Sequence, residues 1–219
     1  MEYRFLSHVV GADIPVYGGR GAVITEAVKS VARGDSANVH RFTMENHWGT
    51  HVDCPAHFFD GGLGVTDYAA REWVFGKPQV VQVKLSPSET LESGDWMDEI
   101  RSDTDMLLIR SGWSAIRGDD KYSLENPGIA PEAAVWLRRE RPSVKVIGID
   151  WISVSSYTNR PLGRMTHKAF LNPAGVGHPI RIVEDMEIPP REAGLSAVWV
   201  FPLRVEGLDG APCTVVGGV

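Results

Sequence analysis

Only two cysteines, Cys54 and Cys213, occur in 219 residues, and they stand far apart. That is too few for the disulfide framework of a small secreted domain. No apolar run approaches the roughly 20 residues that a membrane-spanning helix needs. Basic residues form no run longer than Arg138-Arg139, and the formal net charge is −6. A surface for nucleic acid is therefore not expected. The first residues, Met1 to His8, lack a basic stretch followed by an apolar core, so no signal peptide is visible. The expected address is the cytoplasm, with neither membrane nor nucleic acid as a partner. Repeats, low-complexity tracts and linkers are missing as well, so residues 1–219 read as a single domain.

What is present is an ordinary globular composition, 43% hydrophobic and 23% charged. Val80 to Leu85, Met106 to Arg110, Val144 to Ile149, Ile180 to Val183 and Ala197 to Phe201 are short apolar runs that predict strands. Pro131 to Arg141 predicts a helix, with proline near its start, alanine and leucine inside and basic residues in its last turn. Met106 to Ile149 then reads as a β-α-β crossover. Strands outnumber helices, which gives an α/β fold with a mixed sheet and flanking helices. The Gly-rich stretch Pro15 to Gly21 lacks the strand–GxGxxG–helix context of a nucleotide site and reads as a surface loop.

The most informative segment is His47-Trp48-Gly49-Thr50-His51-Val52-Asp53-Cys54-Pro55-Ala56-His57. Three imidazoles and a carboxylate within so short a stretch are the ligand types of Zn²⁺ and its first-row neighbours. Gly49, Pro55 and the β-branched Thr50 and Val52 disfavour a helix. On a strand, His51 and Asp53 point to the same side and can reach one ion. His47 lies about 13 Å back along a straight strand, so the chain must bend, and Gly49 permits the bend. Pro55 ends the strand and turns His57 back. His47, His51 and Asp53 thus form a three-ligand set with room for water, the mark of a catalytic metal. His57 is either a further ligand or the base for a metal-activated water.

Other residues carry weaker signals. Cys54 admits a nucleophile reading, but strand alternation sets it opposite His51 and Asp53, as a buried apolar residue. Ser111 lacks the G-x-S-x-G context of a hydrolase elbow. Asp150, at a strand end, is either functional or the cap of a turn. His167 and Glu184 flank expected strand or helix ends, and spacing alone does not single them out.

The eleven-residue segment resembles the H-x-G-T-H-x-D-x-P-x-H signature of the cyclase family of metal-dependent hydrolases, which includes kynurenine formamidase and isatin hydrolase. Leu6-Ser7-His8, Pro15-Val16-Tyr17, Leu108 to Trp113, Gly148-Ile149-Asp150 with Ser153, and Gly207 to Pro212 resemble its other segments, so nearly the whole chain is covered. The resemblance implies a swivelling β/β/α-type domain, assembled as a homodimer or larger homo-oligomer. It implies that His47, His51 and Asp53 bind a first metal, with Asp53 able to bridge to a second. His167 would bind that second ion, Glu184 would contact the metals and His57 would be the general acid/base. Tyr17 falls where an aromatic residue covers the substrate, and Trp48 stands beside it as a second substrate-binding aromatic. Trp151 is either a pocket aromatic or an ordinary core residue.

Three positions depart from the formamidase pattern. Asn172 to His178 lengthens the segment before Glu184, making His178 a competitor of His167. No aspartate follows Ser153, and Trp48 replaces a small residue. The expected activity is hydrolysis of a small amide, cyclic amide or lactone with one or two Zn²⁺ or Mn²⁺ ions. The rivals are a non-catalytic metal-dependent binder of a small aromatic acid and a cysteine-dependent hydrolase.

Overall fold

A computed structural model describes residues 2–219. Its centre is a mixed sheet of nine strands. Across the sheet run Val74–Phe75, Ala197–Pro202, Gly210–Gly218, His51–Asp53, Arg181–Glu184, Val146–Ile149, Met106–Arg110 and Pro78–Gln82, with Tyr3–Phe5 also paired to Gly210–Gly218. The last four in that order are parallel, and the strand His51–Asp53 is antiparallel to both of its neighbours. Among the described residues no helix is long and apolar enough to cross a membrane.

Both faces of the central strands are covered, so their sequences read as continuous apolar runs. One core gathers Leu107, Ile109, Ile147, Ile149 and Ile182 with the helix residues Ala134, Leu137 and Phe170. The other holds Val52, Cys54, Leu108, Val146, Val183 and Val215. Period-2 alternation therefore decides the fate of the signature segment. Val52 and Cys54 go into the second core, and His51 and Asp53 face the other way.

The helix Pro131–Glu140 carries proline in its first turn and Arg138 and Arg139 in its last. It lies on the crossover between the adjacent parallel strands Met106–Arg110 and Val146–Ile149. A second helix, Arg160–Leu171, was not anticipated from the sequence. Pro161 opens it, and the Asn159 side chain accepts a bond from the Leu162 amide. The two helices pack against each other beside the sheet.

One local expectation needs correction. Pro15 to Gly21 is no loose surface loop. It belongs to an antiparallel hairpin of Asp13–Val16 and Gly19–Ala22, anchored by the buried Ile14. Gly18, at φ 90°, makes the tight turn, and a Cβ there would meet the Tyr157 ring at 2.6 Å. The bend expected before the motif strand is present: Gly49 at φ 69° breaks the extended run, so only His51–Asp53 is paired and His47 sits in a turn.

Candidate metal centre

Antiparallel register sets Glu184 directly opposite His51, and Ile182 opposite Asp53. Glu184 is thereby aimed at the face that carries His51 and Asp53. His167 arrives from the buried side of the helix Arg160–Leu171. Four ligand-type side chains from three distant segments then meet in one buried place.

Each imidazole lies at the spacing of atoms around one ion from oxygens of both carboxylates. Of the four, His51, Asp53 and Glu184 form the set whose ligand atoms all lie within 4.8 Å of one another. His51 Nε2 lies 3.5 Å from Asp53 Oδ1 and 3.6 Å from Glu184 Oε2. His167 Nε2 lies 3.5 Å from Asp53 Oδ2 and 3.4 Å from Glu184 Oε1. These separations are long for N–H···O hydrogen bonds. Atoms bound at about 2.0–2.2 Å to a tetrahedral ion lie about 3.3–3.6 Å apart. The second ring nitrogens fix the orientation. His51 Nδ1 donates to the Gly49 carbonyl at 2.8 Å, and His167 Nδ1 donates to the Gly163 carbonyl at 3.0 Å. Each Nε2 is left to face two carboxylate oxygens, which is the arrangement of a metal-binding imidazole. Glu184 Oε1 is held in turn by the Val154 amide at 2.7 Å and the Ser153 hydroxyl at 3.1 Å. The donor set fits a divalent cation of the zinc or manganese type.

His47 and His57 form a second, less buried group around the same Asp53. His47 Nδ1 donates to Asp53 Oδ1 at 2.8 Å, and its Nε2 donates to Asp209 Oδ2 at 2.9 Å. His57 Nδ1 donates to the same Asp209 oxygen at 2.6 Å. One ligand atom each from His47, Asp53 and His57 lies within 4.8 Å of the others, as do those of His51, Asp53 and Glu184. Asp53 is common to both groups.

The electrostatics follow from this crowding. Burial opposes charge on Asp53, but His167, His47, His51 and His57 outweigh it and hold the carboxyl well below its usual range. Burial likewise opposes protonation of His47 and His167. The carboxylates of Asp53 and Asp209 raise His47 to about 9, and Asp53 with Glu184 raise His167 to about 10. The pocket thus favours positive charge, and a proton and a metal ion compete for the same place.

A cavity of about 320 Å³ opens onto the cluster. Tyr17 lines it from the turn of the hairpin, and its hydroxyl donates to the Ser156 carbonyl at 3.2 Å. Phe58, Arg160 and Arg164 also line it. A larger cleft of about 940 Å³, beside Val23, Phe42 and Leu203, touches none of the clustered ligands. Trp48 is not among the residues lining the cluster's cavity, and its indole lies against Gly21 instead. His178 stands apart, with Nε2 donating to the Val144 carbonyl at 2.8 Å.

Asp150 accepts from the Ser111 amide and hydroxyl and from the Gly112 amide, each at 2.7 Å, and so ties down the turn after the neighbouring strand. Trp151 is a core residue. Cys54 is fully buried, and desolvation raises its thiol to about 12. A thiolate nucleophile is unavailable there. Asp209, Arg160 and Arg164 were not singled out by the sequence reading. For Asp209 the available signal was its place in the Gly207 to Pro212 segment.

The family described as "Putative cyclase" matches residues 5–156. Cyclase-like protein 2 of Oryza sativa subsp. japonica is 29% identical over 215 residues, covering 94% of this chain and 75% of that protein. Kynurenine formamidase of Erythrobacter litoralis is 28% identical over 211 residues, covering 96% and 91%. Isatin hydrolase A from Labrenzia aggregata has the same fold, with a TM-score of 0.76 at 20% identity over 99% of this chain and 93% of that one. With a family match that spans more than half of its length, this chain belongs to the cyclase family.

Proposed function

We propose that the chain is a metal-dependent hydrolase of a small amide or cyclic amide. One observation carries the reading: the Nε2 atoms of His51 and His167 face oxygens of both Asp53 and Glu184 at the spacing of a metal shell. His51, Asp53, His167 and Glu184 would hold one or two ions; Zn²⁺ and Mn²⁺ both suit these ligands. A bound ion would acidify water and polarise a carbonyl. Likeness to a kynurenine formamidase and to isatin hydrolase supports an amide or cyclic amide substrate, and lactones belong to the same chemical reach.

The chain's own residues supply the proton chemistry. His57 Nδ1 is committed to Asp209, which leaves Nε2 as the ring atom that exchanges protons in the cavity. That atom takes a proton from the attacking water and returns it to the leaving nitrogen. Asp209 fixes the tautomer and stabilises the imidazolium between the two transfers. Tyr17 and Phe58 wall the cavity against a planar substrate. A pure binding protein has no use for an oriented His57–Asp209 pair, which counts against the sequestering alternative.

The deciding experiment reconstitutes the purified protein with Zn²⁺ or Mn²⁺ and offers it formanilide, isatin and small lactones. Hydrolysis of an amide that is lost with a chelator is the expected result. Stoichiometric metal with no turnover of any of them would overturn the hydrolase reading in favour of a binder.

A further inference from the structure

The cavity at the metal cluster has a cationic wall that the hydrolytic chemistry does not use. Arg160, Arg164 and His167 recur at i, i+4 and i+7 on the helix Arg160–Leu171, so they share one face. All three line the same cavity as Asp53 and Glu184. His167 is turned into the ligand cluster. The two arginines lie toward the helix start, at the solvent side of the cavity, and are exposed. Neither meets an Asp or Glu carboxylate within 4.0 Å among the described residues. Two guanidiniums without a carboxylate partner on one wall of the cavity are arranged for an anion that comes from outside the chain.

Distance and shape narrow the class. Helical rise sets Arg164 about 4.5 Å and Arg160 about 10 Å from His167 along the axis. Flat surfaces flank this wall, with Tyr17 and Phe58 lining the cavity itself. Tyr17 meets Tyr157 edge to face at 5.3 Å, the Arg160 guanidinium lies 5.5 Å over the Tyr157 ring, and Phe58 stacks on His167 at 4.9 Å. An aromatic ring between these walls would span the gap from the cluster to the arginines.

We propose that Arg160 and Arg164 form a carboxylate subsite, and that the substrate is an aryl amide carrying an anionic carboxylate about one ring-width from the scissile bond. The proposal rests on the reading of the site as that of an amide hydrolase. A carboxylate presents two oxygens to the fork of a guanidinium, which fixes the ring's direction as well as its charge. The arginines are specificity residues here, since the bond-breaking groups lie at the other end of the cavity.

The test compares 4-formamidobenzoate with formanilide on metal-reconstituted protein, in the wild type, Arg160→Gln, Arg164→Gln and the double variant. The expected result is a lower KM for the anionic amide. The double variant should raise that KM about 10- to 100-fold more than it raises the KM for formanilide, the scale of charged hydrogen bonds. Arg164→Lys should recover part of the loss, because it keeps the charge. Equal KM values for the two amides, or variants that weaken both alike, would overturn the proposal.

Direct binding separates this outcome from the hydrolase reading. Titration with 4-aminobenzoate and with aniline, followed by calorimetry, needs no turnover. Selective binding of the anion, lost in the double variant with metal content intact, supports the subsite even if neither amide is hydrolysed. Anion binding that survives in the double variant and vanishes only on removal of the metal would overturn it.

Discussion

His57 Nδ1 donates to Asp209 Oδ2 across 2.6 Å, joining two residues that are 152 positions apart in the chain. The same oxygen accepts from His47 Nε2 at 2.9 Å, and Asn46 Nδ2 donates to the other Asp209 oxygen at 2.8 Å. Asp209 is therefore held on one side and orients two imidazoles on the other. His57→Ala should lower turnover by about 10²–10⁴, the usual scale for a general acid/base. Asp209→Asn should act through His57, lowering kcat and shifting the pH profile while the bound metal stays. Elemental analysis beside kinetics checks both. Metal lost in step with activity in His57→Ala would make His57 a ligand.

The buried cluster predicts a different pattern for His167 and Glu184. His167→Ala and Glu184→Gln each remove an atom that faces the other clustered groups at the separation of metal ligands. Each should reduce metal content after reconstitution, whereas His178→Ala should leave it unchanged, because His178 bonds to the Val144 carbonyl elsewhere. Metal analysis by mass spectrometry reads the difference. Full metal content in the His167 and Glu184 variants would exclude them as ligands.

Removing the metal should cost stability. A ligand present at about 100 times its Kd stabilises by about 2.7 kcal/mol. For a chain of this size that corresponds to a fall in Tm of about 5–10 °C on chelation. Thermal unfolding with and without a chelator checks it, and an unchanged Tm would mean that no ion is held by the folded state.

The metal-free protein should also respond to alkali. His47 at about 9 and His167 at about 10 are both raised above the ordinary 6.5, against the opposing effect of burial. Groups raised on folding stabilise fully below the unfolded value and lose that contribution as pH climbs through the folded value. The Tm of chelated protein should therefore fall between pH 7 and 10. Metal-loaded protein, whose ligands hold an ion instead of protons, should show a flatter curve over that range.

Thiol reagents test the remaining rival. With Cys54 fully buried and its thiol raised to about 12, iodoacetamide at pH 8 should leave activity intact. Rapid inactivation, prevented by substrate, would restore a cysteine mechanism.

The strand His51–Asp53 and the facing of its side chains were legible because their information is local. His51 and Asp53 are two residues apart, alternation sends them to one face, and Val52 and Cys54 are apolar enough to take the other. The helix from Pro131 and the buried strands around it were readable for the same reason, through short-range periodicity and end signals. The Pro15 to Gly21 stretch misled because its glycines signal a turn without saying that the flanking residues pair.

The rest of the site depended on the packing of segments distant in sequence. Glu184 faces His51 only because Arg181–Glu184 pairs with His51–Asp53 in one register, and a one-residue slip would send its side chain into the apolar core. Asp209 precedes the strand Gly210–Gly218 on the opposite side of the ligand strand, and its carboxylate reaches His47 and His57 through that pairing. Arg160, Arg164 and His167 share the cavity because their helix lies beside the sheet at an angle set by apolar packing. The sequence by itself determined the family and the strand that carries His51 and Asp53, and through the resemblance it pointed to His167 and Glu184. Tertiary structure decided how these groups meet and that Asp209, Arg160 and Arg164 join them, because register and helix packing are set by burying both faces of the sheet at once.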